Sequence, residues 1–183
     1  GGGTPSLLTP QQFEVLLSQI NTSFVVTGDA EVTIESNPND LNLPYLQQLR
    51  NLGINRLSLG MQSSNEDELK LYARRHNHPA LLSAMDSARK ADFDNINLDL
   101  IYGSPIQTLA MWQQSLDSAL ALQPEHISMY ALGLEPDTPL NEWVGMGQLP
   151  APDDELVADM YDLATSMMAG AGYTQYEIML VAD

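Results

Sequence analysis

Residues 95–103 read "NINLDLIYG" and residues 55–63 read "NRLSLGMQS". Both alternate. Ile96, Leu98 and Leu100 fall in one phase, Asn97 and Asp99 in the other; Leu57, Leu59 and Met61 likewise oppose Ser58, Gly60 and Gln62. A third stretch, "EVTIES" at 31–36, sets Val32 and Ile34 against Thr33 and Glu35. Side chains on a strand repeat with a period of two, so each stretch reads as a strand with one apolar and one polar face. Helical patterns lie between them, and strands alternating with helices make βαβ units and a parallel sheet. Parallel strands covered by helices on both faces would read as continuous apolar runs instead. The apolar phase must therefore meet the helices, and the polar phase must face a lumen that takes a polar ligand. This predicts an α/β chain built as a parallel (β/α) barrel rather than a doubly wound sheet. A complete eight-fold barrel takes about 250 residues. With 183 residues the chain is expected to be an incomplete barrel, or a fragment, of roughly five strands.

The other elements follow from the same periodicities. Two more strands are expected at "HISMYALGL" (126–134) and "TQYEIML" (174–180). One helix spans 41–52, with Leu46, Leu49 and Leu52 in phase and Gly53 as its stop. Another begins at Asn65, which forms a capping box with Glu68. A third carries Leu81, Ala84, Met85 and Ala88, and a fourth starts at Thr108 with Trp112, Leu116, Ala119 and Leu120. The last follows Pro152, with Leu156, Met160, Leu163 and Met167 in phase. Near the start, Thr9 is a good N-cap, Pro10 suits the first helical position and Gln12 completes a capping box. Phe13, Leu16, Leu17 and Ile20 then share a helical face. The opening Gly1-Gly2-Gly3 is either a linker or a turn at a strand end where the backbone approaches a ligand closely.

Composition narrows the function classes. Hydrophobic residues make up 44% of the chain, enough for one domain with a real core. No apolar run is long enough to span a bilayer and no signal peptide is visible, so a soluble, cytoplasmic protein is expected. There are no cysteines, which removes disulfides, thiolate zinc sites, cysteine nucleophiles and thiolate ligation of an iron–sulfur cluster by this chain. The formal net charge is -17, from 24 acids against 7 bases, so nucleic acid is not an expected partner. The acid excess reads as a solvated surface, and a high-salt habitat fits it as well.

Glu35, Gln62 and Asp99 lie toward the C-terminal ends of their strands, where parallel α/β folds place their sites. A buried carboxylate paired with arginine is the alternative for Glu35 or Asp99 taken singly. Three strands in phase, with small Ser58 and Gly60 making room, favour a site. Arg74 in "ARRHNH" reads as a surface arginine, and His76 and His78 form a weak HxH that is assigned to a loop. The methionines at 160–168 fill a core more readily than they hold a ligand, and Tyr72, Tyr102 and Tyr130 are read as packing residues.

Five segments, "GGGTPSLL", "TIESNP", "NRLSLGMQS", "NINLDLIYG" and "YALGLEPDTPL", resemble the radical S-adenosylmethionine (SAM) proteins of the oxygen-independent coproporphyrinogen III oxidase family. Gln62-Ser63, Arg74-Arg75-His76, Glu135 to Leu140 and Gln175 to Ile178 are similar to its heme-chaperone branch, often described as coproporphyrinogen oxidase-like. The residues "Ile-Met-Leu-Val" after Glu177 depart from that pattern.

The resemblance implies a radical SAM core over 1–183, without the first strand, the CxxxCxxC loop that ligates a [4Fe-4S] cluster, and the C-terminal domain. It implies that Gly2, Gly3 and Thr4 form the backbone segment beside the methionine amine of SAM, which makes the glycines native. Glu35 and Gln62 would contact SAM, Arg74 would pair with its carboxylate, Asp99 would hydrogen-bond the nucleoside, and Gly133 would lie beside the adenine. The implied cofactors are SAM and a [4Fe-4S] cluster whose ligands are absent from this chain, with heme as a further bound molecule. The implied partners are small molecules and heme-acceptor proteins. Without the cluster cysteines the chain alone is expected to be inactive. Three functions stay open on this reading: a heme chaperone, an oxygen-independent coproporphyrinogen III oxidase that converts propionates to vinyls, and an unrelated ligand-binding α/β barrel.

Overall fold

The computed structural model describes residues 4–177. Its strands are β1 (Thr33–Ser36), β2 (Arg56–Gln62), β3 (Ile96–Tyr102) and β4 (His126–Ala131), joined in one sheet in the order β1-β2-β3-β4. β1 and β2 pair in parallel, with Ile34 opposite Leu57 and Glu35 opposite Ser58. The helices are α1 (Pro10–Ser23), α2 (Leu43–Asn51), α3 (Glu66–Leu71), α4 (His78–Lys90), α5 (Leu109–Ala121), α6 (Pro139–Gly145) and α7 (Asp154–Gly170). Strand, helix and parallel strand follow one another as the alternation of patterns requires. The sheet has four strands among the described residues, where roughly five are expected from the sequence. The difference lies at 174–180: residues 174–177 are not a strand, and 178–180 fall outside the described residues.

The chain divides into two compact units, described separately. The first comprises Gly1–Met61, His76–Leu98 and Pro124–His126. Its core is the apolar phase of the strands, with Ile34, Leu57, Leu59, Met61, Ile96 and Leu98 all buried, closed by Leu46 and Leu49 of α2 and by Leu81, Met85 and Ala88 of α4. Each such aliphatic side chain contributes about 1.5–3 kcal/mol on burial, and α2 and α4 are anchored by this face. Both are also capped as their sequences direct, by Asn42 on the backbone N–H of Tyr45 and by Asn77 on that of Ala80. The capping box of Thr9 and Gln12 is present on α1. The apolar face read on α1 is not buried, however: Leu16 and Ile20 are exposed, and the helix has no buried residue.

The second unit comprises Gln62–Arg75, Asp99–Gln123 and Ile127–Asp183. Trp112 of α5 is its largest buried side chain; the indole N–H donates to the Met160 carbonyl at 2.8 Å, and the ring stacks on Tyr102 with centroids 5.4 Å apart. A buried indole needs such a partner for its N–H. The buried stripe of α7 is Met160, Ala164 and Met168 rather than Leu156, Met160, Leu163 and Met167, because α5 packs against a face rotated from the one those leucines define. Thr108 caps α5 through the backbone N–H of Met111.

Candidate functional site

The polar phase of the first unit forms a row across the strands. Ser58 and Asn97 are buried, and the Asn97 amide Nδ2 donates to Ser58 Oγ at 2.7 Å. This leaves Asn97 Oδ1 as the acceptor toward His126 Nδ1, which therefore carries the hydrogen. All three residues lie in the N-terminal halves of their strands, the end that in parallel α/β folds serves stability. Glu35 stands in register with Ser58 but is exposed, as is Thr33. Both belong to the polar phase of β1, the phase that the sequence turns toward a lumen, on a strand of four residues. Thr4 is exposed too, while Gly2 and Gly3 lie outside the described residues.

Gln62, Arg74, Asp99 and Gly133 all belong to the second unit. Gln62 closes β2 with φ of 65°, in the left-handed region that a side-chain-bearing residue enters only when its surroundings hold it there. It is 9% exposed. Asp99 occupies the middle of β3 and is half-buried. Gly133 follows β4, just past Leu132, whose N–H continues the ladder to the Tyr102 carbonyl at 2.8 Å. Arg74 is exposed on the turn after α3, where Ala73 has φ of 52° and the Arg74 N–H bonds the Leu69 carbonyl at 2.8 Å.

Between Gln62 and Arg74 in the sequence starts a group of side chains that no motif announces. Glu68 is fully buried, and its carboxylate does not close the capping box expected with Asn65. Asn65 does accept from the N–H groups of Asp67 and Glu68, but its own N–H donates to Ser63 Oγ instead. The Glu68 carboxylate turns inward. It accepts from Ser63 Oγ at 2.7 Å, from Ser104 Oγ at 3.1 Å and from the Tyr72 hydroxyl at 3.3 Å. Burial, and then the charge of Glu68, push the Tyr72 phenol well above its ordinary value. The loop after β3 is tied down in turn by the Gly103 N–H, which donates to Gln107 Oε1 at 2.7 Å.

His76 of the HxH pair is buried in the first unit with Nε2 bonded to the Met61 carbonyl at 3.1 Å, and His78 is the first residue of α4. Among the described residues no group of three or more His, Asp or Glu side chains is placed to hold a metal, and the 183 residues contain no cysteine. No helix among the described residues is long and apolar enough to cross a membrane.

The profile of the radical SAM superfamily matches residues 1–119. The chain belongs to that superfamily. Membership implies SAM and a [4Fe-4S] cluster as the family's cofactors. Over 178 residues, 97% of this chain, it is 41% identical to a protein of Synechocystis named heme chaperone HemW, of which it covers 43%. Identity to the heme chaperone HemW of Bacillus subtilis is 38% over 179 residues, covering 47% of that protein. A mouse protein named radical S-adenosyl methionine domain-containing protein 1, mitochondrial, is 38% identical over 178 residues and covered to 40%. The chain thus spans less than half the length of these relatives. Among solved structures, the radical SAM enzyme coproporphyrinogen III oxidase (HemN) of Escherichia coli aligns with a TM-score of 0.84 at 30% identity, over 95% of this chain and 40% of that one. The fold of an archaeal Elp3 aligns with a TM-score of 0.73 at 19% identity.

Proposed function

We propose that the protein is a radical SAM heme chaperone, which binds SAM through this chain and acts in heme delivery. The observation that carries this reading is similarity to named heme chaperones over 97% of the chain, at 38% and 41% identity. The side chains fit the cofactor. SAM offers an α-amine, a carboxylate, ribose hydroxyls and a flat base. Gln62 supplies an amide, Arg74 a guanidinium suited to a carboxylate, Asp99 an acceptor for hydroxyls, and Gly133 a place where a base can approach backbone. From the first unit, Glu35 and the segment with Gly2, Gly3 and Thr4 are carried as contacts on the family resemblance alone. When bound, SAM and the cluster supply radical chemistry; the part of these residues is to bind and orient the cofactor. No thiolate for the cluster comes from these 183 residues.

The second reading is a coproporphyrinogen III oxidase, favoured by the TM-score of 0.84 to the HemN structure. Two assays on the intact protein, assembled anaerobically, separate the readings. Stoichiometric heme binding with transfer to an apo-hemoprotein, and no turnover of coproporphyrinogen III, is the expected result. Turnover without heme transfer would replace the first reading by the second. SAM calorimetry on Arg74→Ala and Asp99→Ala tests the site, with at least a tenfold weakening expected for each.

A further inference from the structure

We propose that Glu68 is a positioning residue for SAM, a buried carboxylate that holds the turn carrying Gln62 and the turn carrying Arg74 in their binding conformations. The inference rests on the reading that Gln62 and Arg74 contact SAM.

A carboxylate with no exposure to solvent is costly to bury unless its oxygens are satisfied. Glu68 is satisfied by three hydroxyls, and each belongs to a different structural feature. Ser63 is the residue after Gln62, Tyr72 lies two residues before Arg74, and Ser104 opens the loop after β3. One side chain therefore ties together three segments of the second unit.

The tie to Ser63 bears most directly on the site. Ser63 Oγ donates to Glu68 Oε2, accepts from the Asn65 N–H at 2.9 Å, and shares a hydrogen bond with Ser115 Oγ at 3.3 Å. Ser115 Oγ in turn accepts from the Ser64 N–H at 3.1 Å. Residues 63–65 are thus fixed at both side chain and backbone immediately after a glutamine held at φ of 65°. Left-handed backbone at a residue with a Cβ persists only where its surroundings over-determine it. Here the surroundings are this hydroxyl–carboxylate cluster. A carboxylate accepts at both oxygens, whereas an amide of the same shape accepts at one. Glu68→Gln therefore keeps the volume and removes the hold on either Ser63 or the Tyr72–Ser104 side.

The test is a set of SAM titrations by calorimetry on the intact protein with its cluster assembled. Glu68→Gln is expected to weaken SAM binding about tenfold, which is about 1.4 kcal/mol. Ser63→Ala, a milder change that leaves the carboxylate two donors, is expected to weaken it about threefold and serves if Glu68→Gln does not fold. The deciding measurement is the double variant. If Glu68 acts through Gln62, Glu68→Gln costs at most twofold more in a Gln62→Ala background, and the same holds for Ser63→Ala. A loss undiminished in the Gln62→Ala background and in an Arg74→Ala background alike would mean a general structural role and would overturn the proposal. Unchanged affinity in Glu68→Gln and Ser63→Ala, with a loss in Arg74→Ala, would overturn it while leaving the site reading standing. Unchanged affinity in Gln62→Ala and Arg74→Ala would remove both.

Discussion

Gly103 follows β3 with φ of +79°, and a Cβ placed there would lie 2.9 Å from Cγ2 of Val157 in α7. Gly103→Ala therefore carries two costs. The left-handed backbone costs an L residue about 1–2 kcal/mol. The methyl contact is far inside the 3.5–4.0 Å separation at which carbon atoms attract. Val157 cannot swing clear, because a β-branched side chain in a helix has one strongly preferred rotamer. The helix or the loop must move, and overpacking of this kind costs about 1–3 kcal/mol. The total is about 2–5 kcal/mol, a large part of the roughly 5–15 kcal/mol that holds a domain folded. Urea unfolding of wild type, Gly103→Ala, Val157→Ala and the double variant separates the two costs. In the Val157→Ala background the glycine substitution should cost only the backbone part, about 1–2 kcal/mol. Equal losses in both backgrounds would show that α7 yields freely and refute the steric half of the reasoning. A loss below about 0.5 kcal/mol in either background would refute the conformational half as well.

Three further outcomes are expected. Asn97→Ala removes a hydrogen-bond partner from buried Ser58 and one from His126, and should lower stability by about 1–3 kcal/mol in urea unfolding. The Tyr72 phenol is raised in the folded protein, so above its unfolded value, about pH 10, the unfolded chain loses a proton that the folded one keeps. Stability should then fall with rising pH by up to about 1.4 kcal/mol per unit, and Tyr72→Phe should reduce that slope; Tyr45 and Tyr102, also raised by burial, leave a residue of it. With no cysteine in the 183 residues, this chain expressed by itself should hold no [4Fe-4S] signal in electron paramagnetic resonance after anaerobic reconstitution. Its SAM affinity should then be on the order of millimolar by calorimetry.

Most of the sheet was legible because strand alternation is a local signal that burial enforces. Leu57, Leu59 and Met61 are buried, as their phase requires, and so are Ser58 and Asn97 of the opposite phase. Caps were legible for the same reason: Thr9 with Gln12, and Thr108, act within one helical turn. Glu68 was not legible. Three residues after Asn65 it satisfies a helix-start pattern, while its actual partners include Ser104, 36 positions away. The fourth strand also carried a readable phase, His126, Ser128 and Tyr130, which would have pointed to the Asn97–His126 pair. α6 was signalled by Thr138 followed by Pro139, yet seven residues give too few repeats for periodicity to register. At 174–177 the alternation is not matched by a strand among the described residues, since propensity without pairing does not make one.

α1 leaves a mark on how the molecule opens. Its 14 residues bury no side chain, and a helix of roughly 12–15 residues is marginal in water by itself. The capping box secures its first turn, and the Tyr45 hydroxyl holds the approach to it through the carbonyls of Ser6 and Leu8. In the turns beyond, Phe13 and Leu17 are only half-buried. The amides of Pro10–Ser23 therefore exchange with solvent through a low-energy opening of their own, while those of β2, with both faces buried, wait for the unit around them to come apart. Two clocks run in one chain, and the faster belongs to the helix that follows the glycine segment.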